Sequence, residues 1–150
     1  MALVKSPPVR RPRILVSAAL DLDSLSELEG SRAIAAVKVG LDAKLVRQLA
    51  EKLGLPLEDM AVPLHLTGRT LHRRLEAGRL SLDESERLLA LAKIFKLAST
   101  TLGSRQKAVH WMKSALPALG GKTPLECAET QIGLREVEDV LVRIEDVVYS

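Results

Sequence analysis

The sequence predicts an all-α fold: a helical bundle with a helix-turn-helix, followed by a small helical domain. Three observations predict it. Aromatics are only 2% of a chain that is 47% hydrophobic, so the core must come from Leu, Val, Ala and Ile, a mixture that favours helices over a sheet. Helix-start signals recur, with capping-box spacing at Ser24-Leu25-Ser26-Glu27, Ser81-Leu82-Asp83-Glu84 and Thr123-Pro124-Leu125-Glu126. Glycines stand where apolar runs end, at Gly40, Gly54, Gly78 and Gly103, as helix stops do.

Taken in order, residues 1–13 hold Pro7, Pro8 and Pro12 with Lys5, Arg10, Arg11 and Arg13, and read as a flexible basic arm. Ile14 to Leu20 suits a short strand or a helix start. Ser24 is expected to cap a short helix reaching Gly30, and Ser31 to Val39 to be helical. Asp42 caps the next helix, where Leu45, Leu49 and Leu53 recur every four residues beside Val46 and Ala50. Pro56 opens a helix over Leu57 to about Leu64, and a second runs from Arg69 to Ala77. Ser81 starts a long helix with apolar positions Leu82, Leu88, Leu89, Leu91, Ala92, Phe95 and Leu102. Ser104 caps a helix bearing Ala108, Val109, Trp111 and Met112, which Pro117 prevents from running on.

After Leu119, the pair Gly120-Gly121 lets the chain reverse through positive φ. Thr123 as N-cap, Pro124 at the first position and Glu126 then start a helix reaching about Glu129. Gly133 is expected to break the chain. Leu134, Val137, Val140, Leu141, Ile144 and Val148 line one face of a helix to Tyr149. These elements divide the chain into 1–40, 41–103 and 104–150.

A length of 150 residues suits one domain or two small ones sharing a core. The net charge of +3 is mild, but its distribution is uneven. Residues 1–20 carry four cations and no acid, whereas residues 136–150 carry Glu136, Glu138, Asp139, Glu145 and Asp146 against Arg143 alone. Cys127 has no second cysteine to pair with, which fits a reducing cytoplasm. No apolar run approaches the roughly 18 residues of a membrane span. Arg10-Arg11 is followed by too short an apolar stretch for a twin-arginine leader.

Catalytic chemistry finds little support. His65, His72 and His110 lack metal-ligand spacing, and one cysteine cannot build a zinc site. Gly121-Lys122-Thr123 would need a glycine at position 116 to be a phosphate loop, and Leu116 stands there. Cys127 and Trp111 read first as core residues. The chain is expected not to be an enzyme and to need no cofactor or metal.

Leu57 to Leu75 fits a helix-turn-helix. Ala61 is the small residue where its helices cross, and Leu64, Leu66 and Leu71 are the apolar positions about the turn. The second helix presents Thr67, Arg69, Thr70, His72, Arg73 and Arg74, and Glu76 is the one acid among Arg69, Arg73, Arg74 and Arg79. Arginines reach phosphate or guanine and threonines donate to phosphate, so this helix is the candidate for the major groove. Pro63 should kink or shorten the first helix. His65 stands where a turn glycine is common, and Arg74 where an apolar residue is common.

From about Leu41 onward the chain resembles the Xre/MbcA/ParS antitoxins, partners of RES-domain toxins. One stretch is Thr70-Leu71-His72-Arg73-Arg74-Leu75 with Gly78, Leu80, Ser81, Glu84, Arg87, Leu88 and Leu89. The other is Ala108, Trp111, Leu119-Gly120-Gly121, Thr123-Pro124-Leu125, Thr130, Gly133, Val137, Leu141 and Arg143-Ile144-Glu145. Ala118 follows Pro117 where the family often has Asn. The resemblance implies an antitoxin that binds a RES-domain toxin depleting NAD, occludes its active site with the C-terminal helix, and represses its own operon by binding operator DNA. It further implies a homodimer formed through the N-terminal region, within a larger toxin–antitoxin complex. Trp111, Gly120, Gly121, Thr123, Arg143, Ile144 and Glu145 are the toxin-binding residues it implies, and Glu138 and Tyr149, on the same acidic amphipathic helix, join them as candidates. Two other readings stand beside it: a transcriptional regulator with a C-terminal dimerisation domain and no toxin partner, and an interaction module with a vestigial DNA-binding motif.

Overall fold

The computed structural model describes residues 20–149. The basic arm, and Ile14 to Ala19 of the undecided stretch, lie outside the described residues. Every regular element among them is helical: α1 (Leu22–Ser26), α2 (Gly30–Val39), α3 (Lys44–Leu53), a 3₁₀ turn (Leu57–Ala61), α4 (Gly68–Ala77), α5 (Leu82–Leu102), α6 (Arg105–Met112), a 3₁₀ turn (Pro117–Leu119), α7 (Pro124–Cys127) and α8 (Gln131–Tyr149). Among the described residues, β-type backbone pairing is confined to isolated bridges, Asp42 with Arg79 and Leu116 with Lys122.

The central element is α5. Helices α1, α2, α6 and α8 all pack against it, so it buries Leu88, Leu91, Ala92, Phe95 and Ala98 on one side and Leu89 and Ile94 on others. A helix covered on several sides needs no single apolar stripe. Its start is the expected capping box: Ser81 accepts from the Glu84 N–H while Glu84 accepts from the Ser81 N–H. Its end is Gly103, at φ 90°, where a side chain would be strained. α3 buries Leu45, Val46, Leu49, Ala50 and Leu53, each leucine contributing about 1.5–3 kcal/mol by leaving water. The N-cap of α3 falls at Ala43, without a side-chain cap, rather than at Asp42; the Asp42 carboxylate, one residue earlier, accepts from the Lys44 N–H at 2.9 Å.

Several expectations change. Ser24 is not a cap: Asp21 is, accepting from the Ser24 N–H at 2.8 Å. Capping from Asp21 places Leu22 and Leu25 one turn apart in the core, which capping from Ser24 could not do. The helix after Pro56 is a 3₁₀ turn that stops at Ala61 rather than Leu64, as Pro63 would dictate. Leu82 is 47% exposed rather than core, because it sits in the solvent-facing first turn of α5.

Another is Gly133, which lies inside α8 instead of breaking the chain. A Cβ there would collide with the backbone carbonyl of Cys127. This glycine serves close approach of two backbones, not chain reversal. Thr130 accepts from the Gly133 N–H at 2.9 Å, the N-cap spacing, and so starts the helix. α7 correspondingly ends at Cys127, earlier than Glu129.

Candidate functional site

Two surfaces emerge, one in the middle of the chain and one toward its C-terminal end. The first is α4. Thr67 is its N-cap and accepts from the Thr70 N–H at 3.1 Å. The Thr67 hydroxyl also donates to Thr70 Oγ1 at 3.0 Å, so these two residues fix the helix start as well as face outward. His65 takes φ 54° in the turn before it, a left-handed conformation uncommon for a residue with a side chain. Leu71 is the side chain that α4 buries fully, with Leu75 half-buried beside it. Arg69, His72 and Arg73 are exposed, and His72 Nε2 lies 3.3 Å from Glu76 Oε1, one turn on.

Arg74 differs from the rest of the predicted DNA-contacting set. Its Nε donates to both carboxylate oxygens of Glu84, at 2.7 and 3.1 Å. Glu84 is 5% exposed. Burial alone would raise its pKa, but hydrogen bonds from the Ser81 N–H and from Arg74, with the arginine's charge, outweigh burial and hold it below the usual range. Arg74 is therefore turned inward to α5, and the candidate contacts that remain outward are Thr67, Arg69, Thr70, His72 and Arg73. The carboxylate partner three residues inside the next helix was the sequence signal for this pair. Backbone bonds from Leu80 N–H to Leu41 and from Ala43 N–H to Gly78 tie the far end of α4 to the start of α3.

The second surface is built from α6, the glycine turn and α8. Gly120 and Gly121 take φ 68° and 82°, and the Gly121 and Leu116 N–H groups close the turn onto Leu116 and Lys122 carbonyls. Thr123 accepts from the Glu126 N–H at 3.1 Å in the predicted capping box, so its hydroxyl is already engaged. Trp111 is half-buried against the core. Burial pushes the Cys127 thiol up, with Lys122 opposing, the opposite of an activated thiolate.

Along α8 the structure separates the predicted residues. Leu134, Val137, Val140 and Leu141 are buried, Ile144 and Glu145 half-buried, and Glu138 and Arg143 exposed. Arg143 Nε donates to the Asp139 carbonyl one turn back. Val148 was expected on the buried face, yet it is 59% exposed, and Tyr149 is 71% exposed. The apolar stripe outlasts the core beneath it. Ile132, 73% exposed at the other end of α8, was not anticipated, since it falls outside that stripe.

Two family models match the chain. One, an antitoxin Xre-like helix-turn-helix domain, matches residues 32–93. The other, the antitoxin Xre/MbcA/ParS C-terminal toxin-binding domain, matches residues 97–146. Among curated relatives, an antitoxin Xre from Yersinia enterocolitica is 27% identical over 123 residues, 81% of this chain and 83% of that protein. An antitoxin Xre from Pseudomonas putida is 36% identical over 93 residues, 61% of this chain and 56% of that protein. A third, from Photorhabdus laumondii, is 31% identical over 74 residues, 49% of this chain and 50% of that protein.

Proposed function

The chain belongs to the Xre/MbcA/ParS antitoxin family, with a helix-turn-helix and a toxin-binding domain, and from that premise we propose that it neutralises a RES-domain toxin that degrades NAD. In this reading α8 occludes the toxin's active site, and α4 binds the chain's own operator DNA as an autorepressor. The protein acts as a homodimer in the cytoplasm and catalyses nothing itself.

The single observation that carries the neutralising half is the mismatch along α8. Val137 and Leu141 are sealed in the core, whereas Val148 and Tyr149 on the last turns stand in solvent. Exposed apolar side chains rimmed by charge mark interaction sites, and Glu145 and Asp146 provide that rim. An NAD-degrading site accommodates phosphates and so carries cations at its mouth. An acidic helix end is drawn there, and like-signed substrate is kept out. Arg143 meets an acidic group of the toxin, in the charge-assisted bonding that arginine favours. Repression rests on the outward Arg69 and Arg73, with Thr67 and Thr70 at the helix start, on the element that this motif inserts in the major groove.

Deleting residues 143–150 tests the reading. The truncated protein should fold by circular dichroism and shift DNA from upstream of its gene. It should fail to rescue growth, or preserve NAD, in cells expressing the RES-domain toxin. Full rescue would move the blocking element to Gly120 to Pro124. The exposed tip also favours a second reading, a transcriptional regulator whose C-terminal domain only dimerises, because a second copy would cover it equally. That reading holds if the truncation dissociates the protein and no co-expressed RES-domain protein co-purifies with the full chain.

A further inference from the structure

The structure leaves α4 with fewer cations for DNA than its sequence suggests. Arg74 is committed to Glu84. Arg79 Nη1 donates to the Val39 carbonyl at 3.1 Å, at the end of α2. Arg69 and Arg73 remain outward, with His72 beside Glu76. Exposed acids stand among them: Glu76 on α4 itself, and Glu58 and Asp59 on the 3₁₀ turn that packs against it. Affinity for DNA comes largely from phosphates neutralised by Lys and Arg, and two arginines facing these acids are a poor source of it.

A second block of positive charge lies before the first described helix. Lys5, Arg10, Arg11 and Arg13 fall in residues 1–20 without any acid. The acids that follow them in the chain are already engaged. Asp21 caps α1. Asp23 pairs with Lys52 at 2.8 Å and lies 3.9 Å from Arg105. Glu27 pairs with Lys96 at 3.1 Å and Glu29 with Lys93 at 3.9 Å. Such exposed pairs are individually weak, but turning one of these acids to the basic segment only exchanges one cation for another. The charge of that segment is therefore left for a polyanion outside the chain.

The described chain also enters close to α4. Leu22 N–H donates to Gln48 Oε1, on α3, at 3.1 Å. Gln48 is one turn from Lys44, where α3 starts, and Ala43 N–H donates to the Gly78 carbonyl at the end of α4 at 3.0 Å. Back from Leu20, the seven residues to Arg13 span at most about 25 Å, well beyond the roughly 12 Å width of the major groove.

Resting on the operator binding proposed above, we infer that residues 1–13 are a second DNA-contacting site: Lys5, Arg10, Arg11 and Arg13 neutralise phosphates flanking the site that α4 reads. Phosphate contacts position a protein on the duplex without carrying sequence information, so this segment holds the chain on DNA while α4 selects the site.

The test measures binding by fluorescence anisotropy over about 50–200 mM salt, on DNA from upstream of the gene and on a shuffled duplex of equal length. The wild-type chain is compared with a Lys5→Gln/Arg10→Gln/Arg11→Gln/Arg13→Gln variant and an Arg10→Lys/Arg11→Lys/Arg13→Lys variant. Each phosphate contact contributes about 0.9 to the slope of log affinity against log salt. The glutamine variant should lose roughly 3–4 from that slope per bound chain, and at least about tenfold in affinity at low salt, equally on both duplexes. The lysine variant should keep the wild-type slope, because a phosphate is also bound by a point charge. A slope reduced by less than about one per bound chain, or a loss confined to the upstream duplex, overturns the inference. So does binding to phosphatidylglycerol vesicles that the glutamine variant loses while its DNA slope is unchanged, which assigns the segment to a membrane surface. Should the glutamine variant not fold by circular dichroism, deletion of residues 2–13 is held to the same slopes. The operator reading fails separately: a wild-type chain with no preference for the upstream duplex sinks that reading, and one that binds neither duplex sinks both.

Discussion

α4 and α8 both face outward, and they are held in opposite ways. α4 buries one side chain fully, Leu71, and is otherwise fastened by polar bonds: Thr67 at its start, Arg74 to Glu84 along its side, and the Leu41–Leu80 and Ala43–Gly78 backbone pairs beyond its end. α8 is fastened by apolar burial through Leu134, Val137, Val140 and Leu141, and its last turns have no such cover at Val148 and Tyr149. Polar fasteners hold a helix at a fixed angle while leaving nearly all its outer surface for cations. Apolar anchoring at one end lets a helix project its other end toward a partner. The difference is that between a helix oriented to read and a helix extended to cover.

Four measurements sharpen or break that contrast, largest effect first. Leu141→Ala removes a side chain with no exposure from the anchored half of α8. It should cost about 2–5 kcal/mol of unfolding free energy in a denaturant titration, from reduced burial and the cavity left behind. A loss under about 1 kcal/mol would mean that α8 is not held by its apolar face.

Gly133→Ala forces a methyl group into the Cys127 carbonyl and should cost on the order of 1–3 kcal/mol, the range for overpacking. If it is neutral or stabilising, as expected for a glycine replaced in an ordinary helix, the close approach is not needed.

Glu84→Gln weakens the polar fastening of α4 and should cost roughly 1–3 kcal/mol at neutral pH. The pH dependence has a definite sign. The Glu84 pKa is held below its ordinary value of 4.5 in the folded state. Its contribution is therefore fully present above that value and is lost as pH falls through the lower folded one. The stability gap between wild type and the variant should close as pH drops below about 4.5. A gap that widens on acidification would mean the carboxylate is not the stabilised form.

The smallest effect on stability is expected at the outward residues. Arg69→Ala with Arg73→Ala, and separately Val148→Ser with Tyr149→Ser, should each change stability by no more than about 0.5 kcal/mol. The arginine pair should nonetheless weaken operator binding by roughly 1–3 kcal/mol for each arginine that reads a base edge, and still protect cells from the toxin. Loss of protection by a soluble arginine variant would show that reading and covering are not separable.

Much of this was legible in the residues themselves. Ser81, Ser104 and Thr123 start helices and Gly40, Gly54, Gly78 and Gly103 end them, as expected. A cap depends on one hydroxyl or carboxylate and an N–H two or three residues on, and a left-handed stop depends on one missing Cβ; both are local. Ser24 misled because Asp21 offered an equally local cap three residues earlier, and the choice between them fell to which placed Leu25 inside.

The sequence by itself determined the helical class, most helix boundaries, the basic helix of the helix-turn-helix and the apolar stripe of α8, because short-range spacing encodes all of these. Only the tertiary structure decided which exposed-looking residues turn inward and which apolar ones stay out. Arg74 turns to Glu84, ten residues away. Gly133 is required because the Cys127 carbonyl passes against it. Val148 continues the stripe yet is 59% exposed. Arg87 and His65 reach Glu129, between α7 and α8, across 42 and 64 residues of chain. Each depends on which backbone or side chain lies opposite, and periodicity along one helix carries no information about its neighbour.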